Sequence, residues 1–260
     1  MTILIREDAA SVATLTMNAP ERLNALSDAM LAALQQAFDT IANDPEIRVI
    51  ILRGNGKAFC AGHDLKEMQA GRQANDGGAA YFKDLFDRCS ALMQRIQSLP
   101  QPVIAQVHGI ATAAGCQLVA TCDMAVAADE TRFGVNGVNI GLFCSTPMVA
   151  LSRNIGRKAA FEMLTTGRFA NAREAQEMGL INWAVHADAL ERETMQLAAT
   201  VASKLPAAVK VGKEAFYQQA QMSVADAYRF TGDVMVHNML DRDTDEGVTA
   251  FLEKRTPDWS

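Results

Sequence analysis

Two spacings of apolar residues alternate along the chain and divide it into elements. "ILIRED" and "SVATLTMN" are short β-branched runs that predict two strands, and the stretch from Asp8 to Ala10 between them suits a hairpin turn. In "SDAMLAALQQAFDTIANDP" the residues Met30, Leu31, Leu34, Phe38 and Ile41 recur at helical spacing, Ser27 is placed to cap the start, and Pro45 lies beyond the end. "RVIILRG" is an unbroken apolar run, the mark of a strand buried on both faces, closed by the "GNG" turn. The order then repeats. A helix bearing Phe82, Leu85, Phe86, Cys89, Leu92, Met93 and Ile96 precedes the strand "VIAQVHG", a small-residue helix, and the strand "MAVAA". Strands alternating with helices predict an α/β protein with a largely parallel sheet. After Ser145 "LINWAV" is the one clear strand candidate among helical patterns. We therefore expect a core over residues 1–200 and a helical region over 201–260, packed on the sheet or on neighbouring subunits because no low-complexity linker separates them.

Composition narrows the classes of function. With 260 residues, 49% of them hydrophobic, the chain can bury a large core. A net charge of -6 argues against a protein that holds nucleic acid, and small molecules fit better than polymers. Cys60, Cys89, Cys116, Cys122 and Cys144 are odd in number and lack paired metal-ligand spacing, so free thiols are expected, with no structural disulfide and no metal. The first residues meet Arg6, Glu7 and Asp8 too soon to form a signal-peptide core, and no apolar run reaches membrane-spanning length. The expectation is a soluble, cytoplasmic protein without membrane contact.

Two loops stand in corresponding places, each after a buried strand and before a helix: "GKAFCAGHDLKEM" (56–68) and "HGIATAAGCQL" (108–118). Open α/β sheets bind ligands at such places. In both, an alanine beside a glycine offers an unobstructed backbone N–H, and two such donors converging on one point hold a negatively charged oxygen. Close packing explains small-residue turns equally well, so either loop alone leaves both readings open.

Taken in order, "APERLNALS" (19–27), "GKAFCAGHDLKEM" (56–68), "GIATAAGCQLVATCDMAVAADETRFG" (109–134), "GRFANAREAQEMGLIN" (167–182) and "EGVTAFLEKRTPDW" (246–259) resemble the enoyl-CoA hydratase/isomerase (crotonase) superfamily over nearly the whole chain. "TAAGCQLVA" and "GLFCSTP" look most like its enoyl-CoA hydratase domain-containing protein 3 subgroup. The resemblance implies a crotonase-like spiral of ββα repeats followed by a C-terminal helical trimerisation region, assembled as a homotrimer or a dimer of trimers. It implies a CoA thioester as substrate and no separate cofactor. The oxyanion donors map to the N–H groups of Ala61 and Ala114; the CoA-binding turns map to Arg22, Leu23 and Ala25 and to Ala61, His63, Asp64 and Leu65. The chemistry shared by the family is stabilisation of a thioester enolate.

The positions of the family's two acid/base glutamates map to Gln117 and Gly137. Neither exchanges a proton, so efficient classical hydration is not expected. His63 is a candidate proton donor or polar guide, or else a structural hydrogen-bonding histidine. Asp64 reads better as a helix cap than as an acid. Cys60, Cys116 and Cys144 read as buried apolar residues, and Asn136 and Asn139 as turn formers or substrate contacts. Lys254 and Arg255 are either phosphate contacts or a solvated end. Three functions stay open: a nominal hydratase with an unconventional proton relay, another crotonase-type reaction such as isomerisation or decarboxylation, and a non-catalytic acyl-CoA binder.

Overall fold

The computed structural model describes residues 2–259. Strands β1 (Leu4–Ala9) and β2 (Val12–Met17) pair antiparallel, with Ala9 opposite Val12. The turn between them is Ala10 and Ser11, at φ 49° and 62°, the two left-handed positions that a tight hairpin requires. It falls later than the sequence pattern placed it, because Asp8 and Ala9 stay paired with Ala13 and Val12. Helix α1 (Asp28–Ala42) starts where expected: the Ser27 hydroxyl accepts the Met30 N–H at 3.2 Å, and the five apolar residues of the predicted face are buried.

The chain continues through β3 (Val49–Gly54), α2 (Leu65–Gly71), α3 (Ala79–Ser98), β4 (Val103–Val107), β5 (Ile110–Thr112), α4 (Ala114–Thr121), β6 (Met124–Ala128) and β7 (Arg132–Gly134). Then follow α5 (Ser145–Asn154), α6 (Arg157–Thr166), β8 (Phe169–Asn171), α7 (Ala172–Glu177) and β9 (Trp183–Val185). The helices α8 (Leu190–Ala202), α9 (Pro206–Gln219), α10 (Val224–Met239) and α11 (Arg242–Glu253) complete it. One sheet has the order β1-β2-β3-β4-β6-β9 and is parallel from β2 onward; β5, β7 and β8 form a second, smaller sheet. Strand β8 escaped the sequence reading because three residues are too few to show a period.

Alternation along the central strands sends Leu15, Ile50, Leu52 and Val103 into the main core with α1 and α3, and Val12, Val49, Ile51 and Ile104 against Ala198 and Ala202 of α8. Both faces are therefore covered, which is why these strands read as unbroken apolar runs. Helix α8 belongs to this layer as far as Ala202, so the step to the helical end comes at α9.

Helix α9 is fastened by a buried charge. Lys213 Nζ donates to the carbonyls of Ile96 (2.8 Å) and Gln101 (3.0 Å) and to Asp123 Oδ2 (2.7 Å). Asp123 also accepts the Val103 N–H at 2.7 Å and the Tyr217 hydroxyl at 2.8 Å. Tyr217 is thus turned inward, whereas Phe216, Met235 and Met239 are exposed. Helix α10 has no buried residue, so its apolar side chains face solvent in the single chain. At the C-terminus Arg255 is taken by Glu246 and Glu253.

Removing one partner of a buried ion pair leaves the other charged and unpaired, at a cost of about 3–5 kcal/mol. Asp123→Ala should lose stability on that scale in urea unfolding, whereas Asp123→Ala combined with Lys213→Met should lose clearly less than the sum of the two single changes.

Candidate functional site

The two loops singled out in the sequence lie against each other. The Cys60 N–H donates to the Ile110 carbonyl at 3.2 Å, and the Thr112 N–H returns to the Cys60 carbonyl at 3.0 Å. Two glycines permit the approach. A Cβ on Gly115 would sit 2.2 Å from the Cys60 carbonyl oxygen, and one on Gly62, at φ +89°, would sit 2.9 Å from the Ala113 Cβ and 3.2 Å from the Ala114 nitrogen. Ala113 itself is held at φ 50° and ψ -120°, a conformation rare outside glycine, with its N–H donating to the Gly134 carbonyl at 2.9 Å. Helix α4 then begins at Ala114 without a side-chain cap, leaving the Ala114 N–H as one of its unpaired first donors.

Ala61 does not have a free donor. Its N–H donates to the Leu23 carbonyl at 3.0 Å, and the Leu26 N–H donates to the Gly62 carbonyl at 2.7 Å. These bonds stitch the first loop to the 22–26 turn and spend the Ala61 group inside the protein, correcting its mapping as an oxyanion donor. The His63 N–H, by contrast, meets no acceptor among the described residues, and Gly62 beside it rests on the Ala113–Ala114 backbone. His63 and Ala114 therefore present the free N–H groups at the junction of the loops.

The residues mapped to the CoA-binding turns are brought together. Leu23 and Asn24 both adopt φ 52°, and Asn24, which the sequence reading passed over, holds the turn. Its Oδ1 accepts the Ala19 N–H at 2.9 Å and its Nδ2 donates to the carbonyls of Asn55 and Ala58, each at 2.8 Å. Asparagine tolerates the left-handed region, the one signal that the sequence offered for this role. Ala25 is buried; Leu23 and Leu65 are exposed apolar residues at the rim. Asp64 is the cap of α2, accepting the N–H groups of Lys66 (2.8 Å) and Glu67 (3.3 Å), and also meets Arg22 at 3.1 Å. Arg22 stays largely in solvent beside it.

Gln117 lies one helical turn beyond Ala114, on the same side of α4, and side chains in a helix lean toward its N-terminus, over the turn that carries the free Ala114 N–H. It is only 4% exposed, and its Oε1 is buried without a partner. Gly137 is buried in a short helical turn, and a Cβ there would lie 2.3 Å from the Leu142 carbonyl oxygen and 2.9 Å from Cys144 Sγ. Its constraint is space; a positive φ plays no part.

Candidate substitutes for the missing acids are mostly occupied. Asn136 accepts the Thr112 hydroxyl at 2.6 Å, and Asn139 packs against Gly167. Burial pushes the Cys60 and Cys116 thiols up to about 12 and raises Cys144 as well, so none supplies a thiolate near neutral pH. His63 is held neutral by burial, its ring edge-on to Phe86 at 5.6 Å. Its Nδ1 lies 3.4 Å from the Leu26 carbonyl, and its Nε2 is buried without a partner. Beyond it Arg88 bridges Asp28 (2.6 Å) and Asp84 (2.7 Å), and Glu67 accepts the Asp28 N–H at 2.8 Å. Phe86 and Arg88 of α3 line this wall, although the sequence alone assigned α3 only to packing.

Among the described residues no group of three His, Cys, Asp or Glu side chains is arranged to hold a metal ion, and no helix is long and apolar enough to cross a membrane. A broad cleft of about 910 Å³ between α1, α3 and α9 touches none of these loops.

Comparison with known proteins places this arrangement. Residues 7–260 match the family described as Enoyl-CoA hydratase/isomerase. The chain is 44% identical to the mitochondrial enoyl-CoA hydratase domain-containing protein 3 of Xenopus laevis, covering 100% of this chain and 86% of that one. It is 45% identical to the Homo sapiens protein of that name, over 96% of this chain and 80% of the relative. The crystal structure of an enoyl-CoA hydratase from Mycobacterium smegmatis superposes with a TM-score of 0.95 at 53% identity, covering 100% of this chain and 99% of that one. The vertebrate relatives are named as mitochondrial proteins, which overturns the cytoplasmic placement expected from the sequence. With its spiral of strands and helices and its paired loops, the chain belongs to the enoyl-CoA hydratase/isomerase (crotonase) family, in the enoyl-CoA hydratase domain-containing protein 3 subgroup.

Proposed function

We propose that the chain binds acyl-CoA thioesters between its two loops and stabilises a thioester enolate there. The observation that carries this reading is the pair of unpaired N–H groups, His63 and Ala114, on loops in direct contact. A thioester carbonyl accepting from both loses electron density to them, and the negative oxygen that develops when an adjacent bond breaks is stabilised by about 3 kcal/mol per donor. The 22–26 turn and the Asp64–Leu65 step form the shoulder on which the CoA portion rests, with the guanidinium of Arg22 at the solvent edge.

Hydration needs two further events, delivery of water to one carbon and of a proton to the next. Gln117 orients a water without taking its proton, and Gly137 contributes no group. A general acid or base is worth about 10²- to 10⁴-fold, so the natural chain should hydrate crotonyl-CoA at least about 100-fold more slowly than an otherwise similar site holding a carboxylate pair. The second reading, an acyl-CoA binder without turnover, is favoured by the same closed contact at Gly137.

Calorimetric titration with butyryl-CoA tests binding, and no heat or competition at millimolar ligand would end the proposal. Loss of enoyl absorbance from crotonyl-CoA tests turnover. Gln117→Glu should raise the rate. Adding Gly137→Glu should bring no further gain and should lower the unfolding midpoint, because its Cβ meets the Leu142 carbonyl. Rapid hydration by the natural protein would overturn the assignment of a deficient proton relay.

We further propose that α9–α11 drive self-association into a homotrimer or a dimer of trimers. Tyr228, Leu240 and Phe251 are about four-fifths exposed (78%, 81% and 82%), a large apolar area for a single chain to leave in water. Light scattering at working concentration should give a mass of three or six chains; a mass near 28.1 kDa would refute it.

A further inference from the structure

A second cavity, of about 350 Å³, opens at the other end of the sheet from the two loops. Ile47, Arg48 and Gln101 line it just before β3 and β4, whereas the loops follow those strands at their far ends. The six residues of β3, at about 3.3 Å each, set the two places about 20 Å apart. Gln101 is only 6% exposed. Its Nε2 donates to the carbonyls of Ile41 (2.9 Å), Ile47 (3.2 Å) and Asp44 (3.5 Å), so turning the amide would set its oxygen against theirs. Oε1 is therefore the free end, buried and without a partner, and an acceptor in that state calls for a donor.

The rim has the opposite character. Arg48, Lys204 and Lys210 line the cavity, all three exposed, and no carboxylate pairs with them among the described residues. Asp44 lines it too, but is held by Arg6 at 2.8 Å. Helix α9 starts at the same rim with no side-chain cap, and the Ala207 N–H there meets no acceptor among the described residues. A helix start beside three cations favours an anion, and this one lies on a chain of net charge -6. A phosphate, with up to two charges and three outer oxygens, matches three cations and a backbone donor better than a carboxylate does. Ile47, Pro100 and Val201 supply an apolar wall, and the volume is that of a small-molecule site.

We propose that this cavity binds a phosphate monoester of a small organic molecule bearing an N–H or O–H donor. The phosphate lies at the start of α9 with Lys204 and Lys210, and the donor pairs with Gln101 Oε1. Inorganic phosphate has nothing beyond the rim to offer. An unphosphorylated molecule leaves the cations unmet.

The test is calorimetric titration of the full chain at low ionic strength with AMP, glucose 6-phosphate, inorganic phosphate and adenosine. AMP or glucose 6-phosphate should bind about 10-fold or more tightly than inorganic phosphate, and AMP should bind more tightly than adenosine by a similar factor. Which ester binds shows whether a base or a sugar supplies the donor. Lys204→Ala combined with Lys210→Ala, two exposed positions remote from the loops, should weaken that ester about 10-fold or more and leave the response to butyryl-CoA as it is in the natural chain. Gln101→Leu should bring the ester down toward inorganic phosphate. No heat from either ester at millimolar ligand would overturn the proposal, as would adenosine binding as tightly as AMP or an unchanged affinity in the double lysine variant. Equal affinity for inorganic phosphate and the esters would overturn the part given to Gln101. The natural chain and the lysine variant decide the site even if Gln101→Leu does not fold.

Discussion

The candidate site depends on how close the Cys60 carbonyl comes to Gly115. At 2.2 Å from the position that a Cβ would occupy, the contact admits no other residue at 115 without moving one loop off the other. Everything that gives the site its chemistry follows from this approach. It lets Cys60 bridge to Ile110 and Thr112, and it sets the first loop over the start of α4. There Ala113 is forced into a conformation that costs an alanine of order 1–3 kcal/mol. The surrounding bonds from Ala113 to Gly134 and from Gln117 to Ala113 hold that strain in place. The result is a helix start whose first N–H groups no side chain caps.

The same geometry explains what could be read in advance and what could not. Buried parallel strands and amphipathic helices have periods that a sequence displays, so α1, with its Ser27 cap, and the central strands were legible residue by residue. The presence of two small-residue loops between strand and helix was legible too, because such residues are visible as such. Which N–H groups remain free was not. Ala61 and His63 differ in availability only because the Leu23 carbonyl, some forty residues earlier, takes the first and not the second, and no local pattern records a bond across that separation. The roles of Asn24 and of the Lys213–Asp123 pair were hidden for the same reason: each is defined by partners distant in sequence. The likeness to relatives fixed the family and the fold, and the hydrogen-bond ledger corrected a donor within it.

Gly137 shows how the two levels combine. From the sequence, glycine at an acid position reads as a missing side chain that a substitution might restore. The structure shows a position already filled from outside, by the Leu142 carbonyl and the Cys144 sulfur. The turn from Asn136 to Ile140 leaves no room for a side chain at 137, and the Leu142 N–H fastens it by donating to the Gly137 carbonyl at 3.0 Å. On the proposed reading, the missing second acid is thus a feature of the backbone as well as of one residue.

Gln117 and His63 occupy an unusual physical state. Protein interiors pair nearly all of their buried polar atoms, and this chain does so at length: Lys213 finds three oxygens and Asn24 satisfies three backbone groups. Gln35, Tyr81 and Gln101 also carry buried atoms without a partner, so those at Gln117 and His63 are set apart only by lying on residues beside the unpaired backbone donors of the two loops. On the proposed reading the N–H groups of His63 and Ala114 meet the thioester carbonyl, whereas the side-chain acceptors are particular to the residues that this sequence places at 63 and 117.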